Sequence, residues 1–577
     1  MAVQHTFIVQ EAGIRPCIRL DSFLADMLRD SGFSREKIKH LIREGKCLVG
    51  GKAEYSPKTT LTVGELVVIQ VEIPPTALNA EPGDLDILYR DAALAVVNKP
   101  AGLTVHPAPG RPTGTLAHRL LSYFPELKAQ EGFRPGIVHR LDKDTSGLML
   151  VALTEQCRLI LTGQFARHEV YKEYLALVRG VPAREEESIE APIGRHPMLK
   201  TKMAVMGGGK PAKSARRTLF ADPRGRFSLQ AVRTFSGRTH QVRVHMQHIG
   251  HPLLGDLLYG GSSALGPCRA KRPAKRQMLH AWKLSFAHPL PTAEDTDSAS
   301  ACRQTRKAQL WAMGLDSSGP APEHKASLTK DLGKLRHYCC PPPPDFVDTV
   351  RACLSRSLPV VITGSPGCGK SLLLDFFRER GFPVFSADAE VARLYQPGGD
   401  GTRLLRARFG DRFVPTSDVG ASDAVDKAAL GAAMREDNVL RREIEALLHP
   451  PVWHATATFW KTHEDRTVLS IAEIPLYLES DHKPGCESGP LLVGVSCPFA
   501  IREERLKQSR GWNEAIIAGM EAWQWPEDKK MRACDLIIDN SEDLPAFNRN
   551  AEALLSALLE MRRERLEAVV RHVQSFW

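Results

Sequence analysis

One eight-residue segment limits the possible fold more than any other: GSPGCGKS at 364–371, which follows the apolar run PVVIT and precedes SLLLDFFRERG. The pattern GxxxxGK[ST] between a strand and a helix is a phosphate-binding loop. It opens at Gly364 and holds Cys368 within the turn. Backbone N–H groups of Gly367, Gly369 and Lys370 at the helix N-terminus would cradle phosphates, and Lys370 would reach the outer ones. The Ser371 hydroxyl would help hold magnesium. A loop of this kind belongs to a parallel α/β sheet, and the sequence behind it alternates strand and helix patterns as far as IIDN at 537–540, then enters a long helix over 551–575. The loop predicts nucleotide binding; it does not say what is phosphorylated.

That sheet accounts for less than half of the 577 residues, and the length suggests three or four folded units. With 43% apolar and 25% charged residues, fibrous and wholly disordered chains are excluded. No apolar run is long enough for a membrane span, and the start lacks the pattern of a secretory signal. The 12 cysteines are scattered without a CxxC pair, which argues against a zinc site and for a reducing cytoplasm. The net charge of +10 is uneven. Residues 357–577 sum to −6, which leaves +16 on residues 1–356. A basic front and an acidic back predict a polyanionic partner for the front alone.

In residues 18–74, Phe23, Leu24, Met27 and Leu28 fall at helix spacing. Ser34 is placed to cap a second helix in which Ile38, Leu41 and Ile42 share a face. Gly45 stops that helix, and CLVGGK turns towards the strand ELVVIQV. The pattern RLDxFL then SRxxIxxLIxxGxxxV resembles the small alpha-L RNA-binding module of the ribosomal protein S4 type. Gly50 stands where that module usually has Asn. Residues 75–84 read as a linker, and 291–336, poor in apolar periodicity, as a largely disordered insertion.

Between them, LDILYRD, LAVVNKP, LMLVALT, YLALVRG and FSLQAVRTF read as strands. The segment GIVHRLDKDTSG at 136–147 puts a carboxylate beside an arginine at the mouth of a buried strand. NKPAGLTVHP (98–107), the KEY triplet ending at Tyr174, and GRTHQVRVHMQHIGHPLLGD (237–256) accompany it. Together these four motifs resemble the RluA/RluC/RluD-type pseudouridine synthases over about 270 residues. The resemblance implies isomerisation of uridine in RNA without a cofactor, with Asp142 as the catalytic carboxylate. It also implies Arg243 as the group that keeps Asp142 ionised and aimed, Tyr174 against the base, and Arg140 in the space left by the flipped nucleotide. Asp144, Thr145 and Ser146 read as residues that shape the loop. Two basic stretches are candidates for phosphate tracking: Lys200, Lys202, Lys210, Lys213, Arg216 and Arg217 in one; Arg269, Lys271, Arg272, Lys275 and Arg276 in the other. His106, His139, His240, His245 and His251 all sit in motifs of a family that binds no metal.

Behind the phosphate loop come FPVFSADAEVARLY, RFG, LLHPPV, IPLYLE, REERLKQSR, Gln524, Lys530 and ACDLIIDN. This series resembles the dephospho-coenzyme A kinase (CoaE) family over about 220 residues. By that resemblance Asp388 is the base for the acceptor hydroxyl, Arg505 and Arg510 are lid arginines, and Asn540 and Asp535 serve the adenine end. Ser386 stands in place of an Asp of the family, Lys427 in place of an Arg, and the lid carries an unusual AWQWP.

The expected architecture is therefore multidomain α/β and α+β. It comprises an alpha-L RNA-binding module over 1–78, a mixed α/β synthase domain with an antiparallel sheet over 79–356, and a P-loop parallel α/β kinase domain over 357–577. The expected partners are structured RNA, large-subunit ribosomal RNA by resemblance, with ATP, Mg2+ and dephospho-CoA for the kinase, and no membrane. The rival reading is a ribosome-assembly factor that binds RNA and carries an inactive or regulatory nucleotide-binding domain.

Overall fold

The computed structural model describes residues 2–9, 18–28, 35–72, 78–108, 110–129, 135–199, 201–260, 274–289, 335–415, 424–480 and 489–577. The chain forms two compact units: described residues up to Phe346 belong to the first, and Val347–Phe576 to the second.

In the first unit, a four-stranded antiparallel sheet carries the strands Ala2–Ile8, Leu66–Glu72, Cys47–Val49 and Lys52–Ala53 in that order. Its first strand lies ahead of the segment 18–74 and pairs along its whole length with Leu66–Glu72. Helices Leu20–Met27 and Arg35–Arg43 cover it, because Leu20, Leu24, Ile38 and Ile42 share one core with Cys47, Val67 and Ile69. Ser34, the expected cap, lies outside the described residues. Gly50 and Gly51, at φ 56° and 81°, form the two-residue hairpin turn between Val49 and Lys52. Both positions need a left-handed backbone, which Gly supplies as readily as the Asn of the resembled module.

The second sheet of this unit has nine strands. Its path runs Glu186–Glu190, Lys213–Ala221, Phe227–Thr234, Tyr171–Arg179, Leu279–Ala287, Ser146–Ala152, Leu94–Lys99, Asp86–Arg90, with Leu335–Cys339 also on Leu279–Ala287. Every pairing is antiparallel except Leu279–Ala287 with Ser146–Ala152. There Gly147, at φ 114°, runs so close to its neighbour that a Cβ would stand 2.2 Å from the Ala281 carbonyl oxygen. The sheet is buried on both faces, as period-two alternation allows. Ala95 and Val97 point into a core with Leu116, Leu120 and Phe124 on one side. Leu94 and Val96 join Cys157 and Leu161 on the other. Each valine fully buried in this way contributes about 1.5–3 kcal/mol. The five expected strands are present. Lys213–Ala221 is a further strand where the sequence suggests only a charged stretch. Leu335–Cys339 overlaps the end of the expected insertion, whose residues 291–334 lie outside the described residues.

The second unit is built on five parallel strands in the order Val384–Ser386, Leu469–Glu473, Leu358–Thr363, Leu491–Ser496, Leu536–Asp539. The wholly buried central strand Leu358–Thr363 ends in the phosphate loop, and helix Lys370–Glu379 leaves it. Leu373, Leu374 and Phe377 of that helix close the core with Val360, Ile362 and Val493. Helices Asp400–Phe409, Lys427–Glu436 and Asn438–His463 hold a separate core around Leu405, Phe413, Leu430 and Ile444. The last helix, Leu544–Gln574, begins earlier than its apolar spacing predicts. Its start is fixed by the Asp543 side chain, which accepts from the Ala546 N–H, and by Pro545 in the first turn.

Candidate functional site

In the first unit the loop before strand Ser146–Ala152 carries Asp142, and three anchors fix its backbone. The Thr145 N–H donates to the Asp142 carbonyl at 3.1 Å. The fully buried Lys99 ammonium donates to the carbonyls of Pro100, Leu103 and Lys143 at 2.8–2.9 Å, and burial lowers its pKa to about 7. Arg276 donates to the Asp144 carbonyl at 3.0 Å. The Asp142 side chain stands over a cleft of about 260 Å³ lined by Arg140, Phe165, Lys172, Tyr174, His240 and Arg243 among others.

Helix Gln241–His248 delivers Arg243 into this cleft. Its Nε and Nη2 donate to both oxygens of Asp256, at 2.7 and 2.9 Å, and Nη1 donates to Asp142 at 3.1 Å. Burial opposes the guanidinium charge, but the hydrogen bonds and charges of Asp256 and Asp142 outweigh it and raise the Arg243 pKa. Tyr174 comes from strand Tyr171–Arg179 at a β-bulge opposite Ala281, the kind of irregularity that re-aims a side chain. Burial, then the Asp142 charge, raises its hydroxyl pKa, so the phenol keeps its proton. Arg140 is exposed at the cleft mouth. Asp142, Tyr174, Arg243 and Arg140, named from sequence, therefore share one cleft. Asp256 and Tyr259 belong to the same assembly, although the sequence reading gave them no role. Asp256 ends the quoted GHPLLGD run, and its place in that motif was the signal the sequence offered.

The basic stretches need correction. Arg216 is 1% exposed and paired with Glu187 at 2.8 Å; Arg276 is buried against Asp345 at 2.6 and 2.9 Å. Both are internal struts, not phosphate trackers: Arg216 because an alternating strand turns every second residue inward, and Arg276 because its loop lays it against Asp345 and the Asp144 carbonyl. Lys213 pairs with Glu190 at 2.6 Å, and Lys202 lies over the Tyr259 ring. Lys200, Arg269, Lys271 and Arg272 lie outside the described residues. The histidines are dispersed: His139 accepts from the Leu150 N–H, His245 bridges Ser214 and the Ala191 carbonyl, and His251 meets the Arg179 carbonyl. Among the described residues no group of three or more His, Cys, Asp or Glu is arranged to hold a metal.

The phosphate loop of the second unit winds through Gly364, Gly367, Cys368 and Gly369, and Gly369 sits left-handed at φ 102° as the cap of helix Lys370–Glu379. A Cβ at Gly369 would stand 2.1 Å from Asn540 Nδ2. Asn540 is buried and donates to the Cys368 carbonyl at 2.8 Å, so its side chain braces the loop. Asp535 likewise accepts from the Leu492 N–H at 2.7 Å. Lys370 folds over the loop to the Ser365 carbonyl at 3.0 Å.

Beside the loop lies a carboxylate that the motif reading passed over. Glu473, the last residue of strand Leu469–Glu473, accepts from Ser371 Oγ at 3.2 Å and from Ser386 Oγ at 3.3 Å. It is 3% exposed, and burial raises its pKa against the opposing effect of Lys370. Only its place immediately before IPLYLE hinted at it. Ser386 also caps helix Ala387–Leu394, which leaves Asp388 exposed in the first turn. Lys427 opens its helix after the cap Asp426. Of the lid arginines, Arg505 reaches Cys497 Sγ and Arg510 lies over the Trp512 ring. The buried arginine is Arg502, paired with Glu521 and Glu527 and donating to the Pro366 carbonyl of the loop. Trp523 and Trp525 of AWQWP carry Arg441 and Lys529 over their rings. The fully buried Lys530 pairs with Glu479 at 2.9 Å and donates to Gln524 at 2.6 Å.

Residues 93–248 match the family model for RNA pseudouridylate synthase, and residues 358–546 the model for dephospho-CoA kinase. An RNA pseudouridine synthase of Chloroflexus aurantiacus is 45% identical over 274 residues, covering 47% of this chain and 82% of that protein. Ribosomal large subunit pseudouridine synthase D of Escherichia coli K12 is 42% identical over 284 residues, covering 48% and 85%. Among solved structures, a dephospho-CoA kinase from Campylobacter jejuni is 17% identical with a TM-score of 0.26, covering 35% of this chain and 97% of that one. No helix among the described residues is long and apolar enough to cross a membrane. The chain belongs to the RNA pseudouridine synthase family and carries a dephospho-CoA kinase family domain behind its synthase region.

Proposed function

We propose that this chain is a bifunctional cytoplasmic enzyme that converts uridine to pseudouridine in large-subunit ribosomal RNA and phosphorylates the 3′-hydroxyl of dephospho-CoA with ATP. The work divides as 1–78 for RNA binding, 79–356 for isomerisation and 357–577 for phosphoryl transfer. The observation that carries the first activity is the Asp142–Arg243–Asp256 chain at the cleft, with Tyr174 facing it. Arg243 directs Asp142 at the ribose of a uridine turned out of the stack. The carboxylate stabilises or captures carbon 1′ as the bond to the base nitrogen breaks. The base turns, the new bond forms at its carbon 5, and the protonated Tyr174 hydroxyl relays the proton lost there, giving up its own as it gains one, so that the freed base nitrogen ends protonated. Arg140 fills the vacated stack. No redox change occurs.

In the second unit, the loop amides and Lys370 grip the ATP phosphates while Asp388 orients and deprotonates the acceptor hydroxyl. Arg505 and Arg510 neutralise the moving phosphoryl group. The oxygen donors Ser371 and Glu473, 3.2 Å apart beside the loop, suit a hard cation. They would hold Mg2+, which supplies charge neutralisation between the outer phosphates. Comparing pseudouridine maps of ribosomal RNA from cells with and without the gene tests the first activity. ADP release that depends on added dephospho-CoA tests the second. A map unchanged by loss of the gene, or ADP release indifferent to the acceptor, overturns the corresponding half.

A further inference from the structure

His240 is one of only two non-glycine residues among the described ones with a left-handed backbone, at φ 59° and ψ 21°. Strain of this kind gathers where a side chain must be aimed. Here it turns the imidazole from the start of helix Gln241–His248 into the cleft, with its side chain 18% exposed. The ring is held from behind by Tyr259, which it meets edge-on at 5.6 Å, and His240 Nδ1 lies 2.8 Å from the Tyr259 hydroxyl.

The Tyr259 hydroxyl fixes the tautomer. Tyr259 is 1% exposed, and its oxygen already accepts the Met203 N–H at 2.9 Å. Its single proton needs an acceptor, because buried donors are almost always satisfied, and His240 Nδ1 is the one at hand. Burial raises the Tyr259 pKa to about 12, so that proton stays in place. His240 therefore carries its own proton on Nε2. The groups facing the ring are Asp142, Arg243, Asp256, Arg140 and Tyr259. Burial, with the charges of Arg243 and Arg140, outweighs the two carboxylates and lowers the imidazole pKa, so the ring is neutral at physiological pH.

His240 Nε2 stands 3.9 Å from Asp142 Oδ1, on the oxygen that Arg243 does not hold. The gap is too wide for a direct hydrogen bond, yet a hydroxyl oxygen about 2.8 Å from each atom would bridge it. Such a hydroxyl accepts from the imidazole N–H and donates to the carboxylate. Within an RNA strand the ribose O3′ and O5′ are tied up in phosphodiesters, which leaves the 2′-hydroxyl as the free one. It sits on the carbon next to the one at which Asp142 works.

We propose that His240, locked by Tyr259, and Asp142 Oδ1 form a two-point receptor for the 2′-hydroxyl of the target nucleotide, which makes His240 a specificity-determining residue for RNA over DNA. This rests on the reading of Asp142 as the carboxylate at the ribose. Tyr259 is a positioning residue that acts through the imidazole.

The test uses the full-length enzyme and a ribosomal RNA fragment containing a uridine that wild type modifies. A second copy of the fragment carries 2′-deoxyuridine at that position alone. Half-saturating enzyme concentrations in single turnover give a discrimination ratio. Wild type should prefer the ribose form about a hundredfold, as expected for two lost hydrogen bonds at about tenfold each. His240→Asn tolerates the left-handed backbone but withdraws the donor at Nε2, and its ratio should fall about tenfold, to the share that Asp142 alone provides. His240→Gln, whose amide nitrogen reaches further, should restore part of the ratio. Tyr259→Phe, which keeps the ring and frees the imidazole, should lower it. An undiminished ratio in His240→Asn, or no discrimination by wild type, overturns the receptor. If His240→Asn does not fold, an undiminished ratio in Tyr259→Phe does the same. Absence of any pseudouridine made by wild type instead overturns the reading of the site beneath it.

Discussion

Arg243 gives two of its N–H groups to Asp256 and one to Asp142, so the catalytic candidate is the junior partner of a buried ion pair. Asp256 is 1% exposed and Arg243 7%, which makes their pairing hard to break without cost. Asp256→Ala should destabilise the first unit by about 3–5 kcal/mol, the usual penalty for leaving a buried charge without its partner. The freed guanidinium would swing towards both oxygens of Asp142, so pseudouridine formation should fall along with stability. Denaturant unfolding checks the first effect and tritium release from labelled uridine the second. A change within 0.5 kcal/mol would mean that Asp256 is not the anchor.

Asp142 itself should behave differently. It is partly exposed to the cleft, and among the described residues no other carboxylate receives a donor from Arg243 except Asp256, which is already engaged. Asp142→Asn is nearly isosteric and should leave RNA affinity within a few-fold, while turnover drops below about one hundredth of wild type. Residual tritium release above that level would move the chemistry to another residue.

The candidate cleft was legible because its residues lie in compact motifs: HRLD for Asp142, KEY for Tyr174 and RTHQVR for Arg243. What holds them was not. Lys99 caps carbonyls in two separate loops, and its role depends on backbone oxygens that no sequence pattern displays. Arg216 and Arg217 look alike in sequence as surface cations, yet the pleat buries Arg216 against Glu187 from a strand 29 positions earlier. Asn540 was read by resemblance as serving the adenine end, but that its amide fills the space Gly369 leaves open no sequence pattern displays. Local motifs carry chemistry; the long-range supports become visible only when the strands are paired.

In the phosphate loop, Lys370 and Asp388 should fail in distinct ways. Lys370 lies over the loop and would contact ATP, so Lys370→Ala should weaken nucleotide binding as well as turnover. Asp388 is exposed at the start of a different helix from the one the phosphate loop opens, so Asp388→Asn should bind ATP almost normally. Its turnover should fall by roughly the 10²–10⁴-fold typical of a lost general base. ADP release with dephospho-CoA, run beside a direct ATP-binding measurement, separates the two. Equal loss of binding in both variants would remove Asp388 from the role of base.

Glu473 combines a stability cost with a functional gain. Burial raises its folded pKa above the ordinary 4.5, with the Asp388 charge adding to the shift and Lys370, Ser371 and Ser386 opposing it. A raised folded pKa means that the folded state binds the extra proton between 4.5 and the raised value. The contribution to stability is then complete below pH 4.5 and lost as pH rises through that window. Glu473→Gln has nothing to ionise and escapes the loss. At neutral pH it should therefore unfold about 2–4 °C above wild type, the shift expected for roughly 1 kcal/mol in a unit of this size. Near pH 4.5 the two should unfold together. The same variant should lose the increment in ATP affinity that Mg2+ gives wild type, since a neutral amide cannot replace the buried carboxylate beside Ser371. Thermal unfolding at the two pH values and ATP titration with and without Mg2+ check both halves. A variant no more stable than wild type at neutral pH would show that Glu473 ionises without penalty, and an unchanged Mg2+ increment would remove it from the cation site.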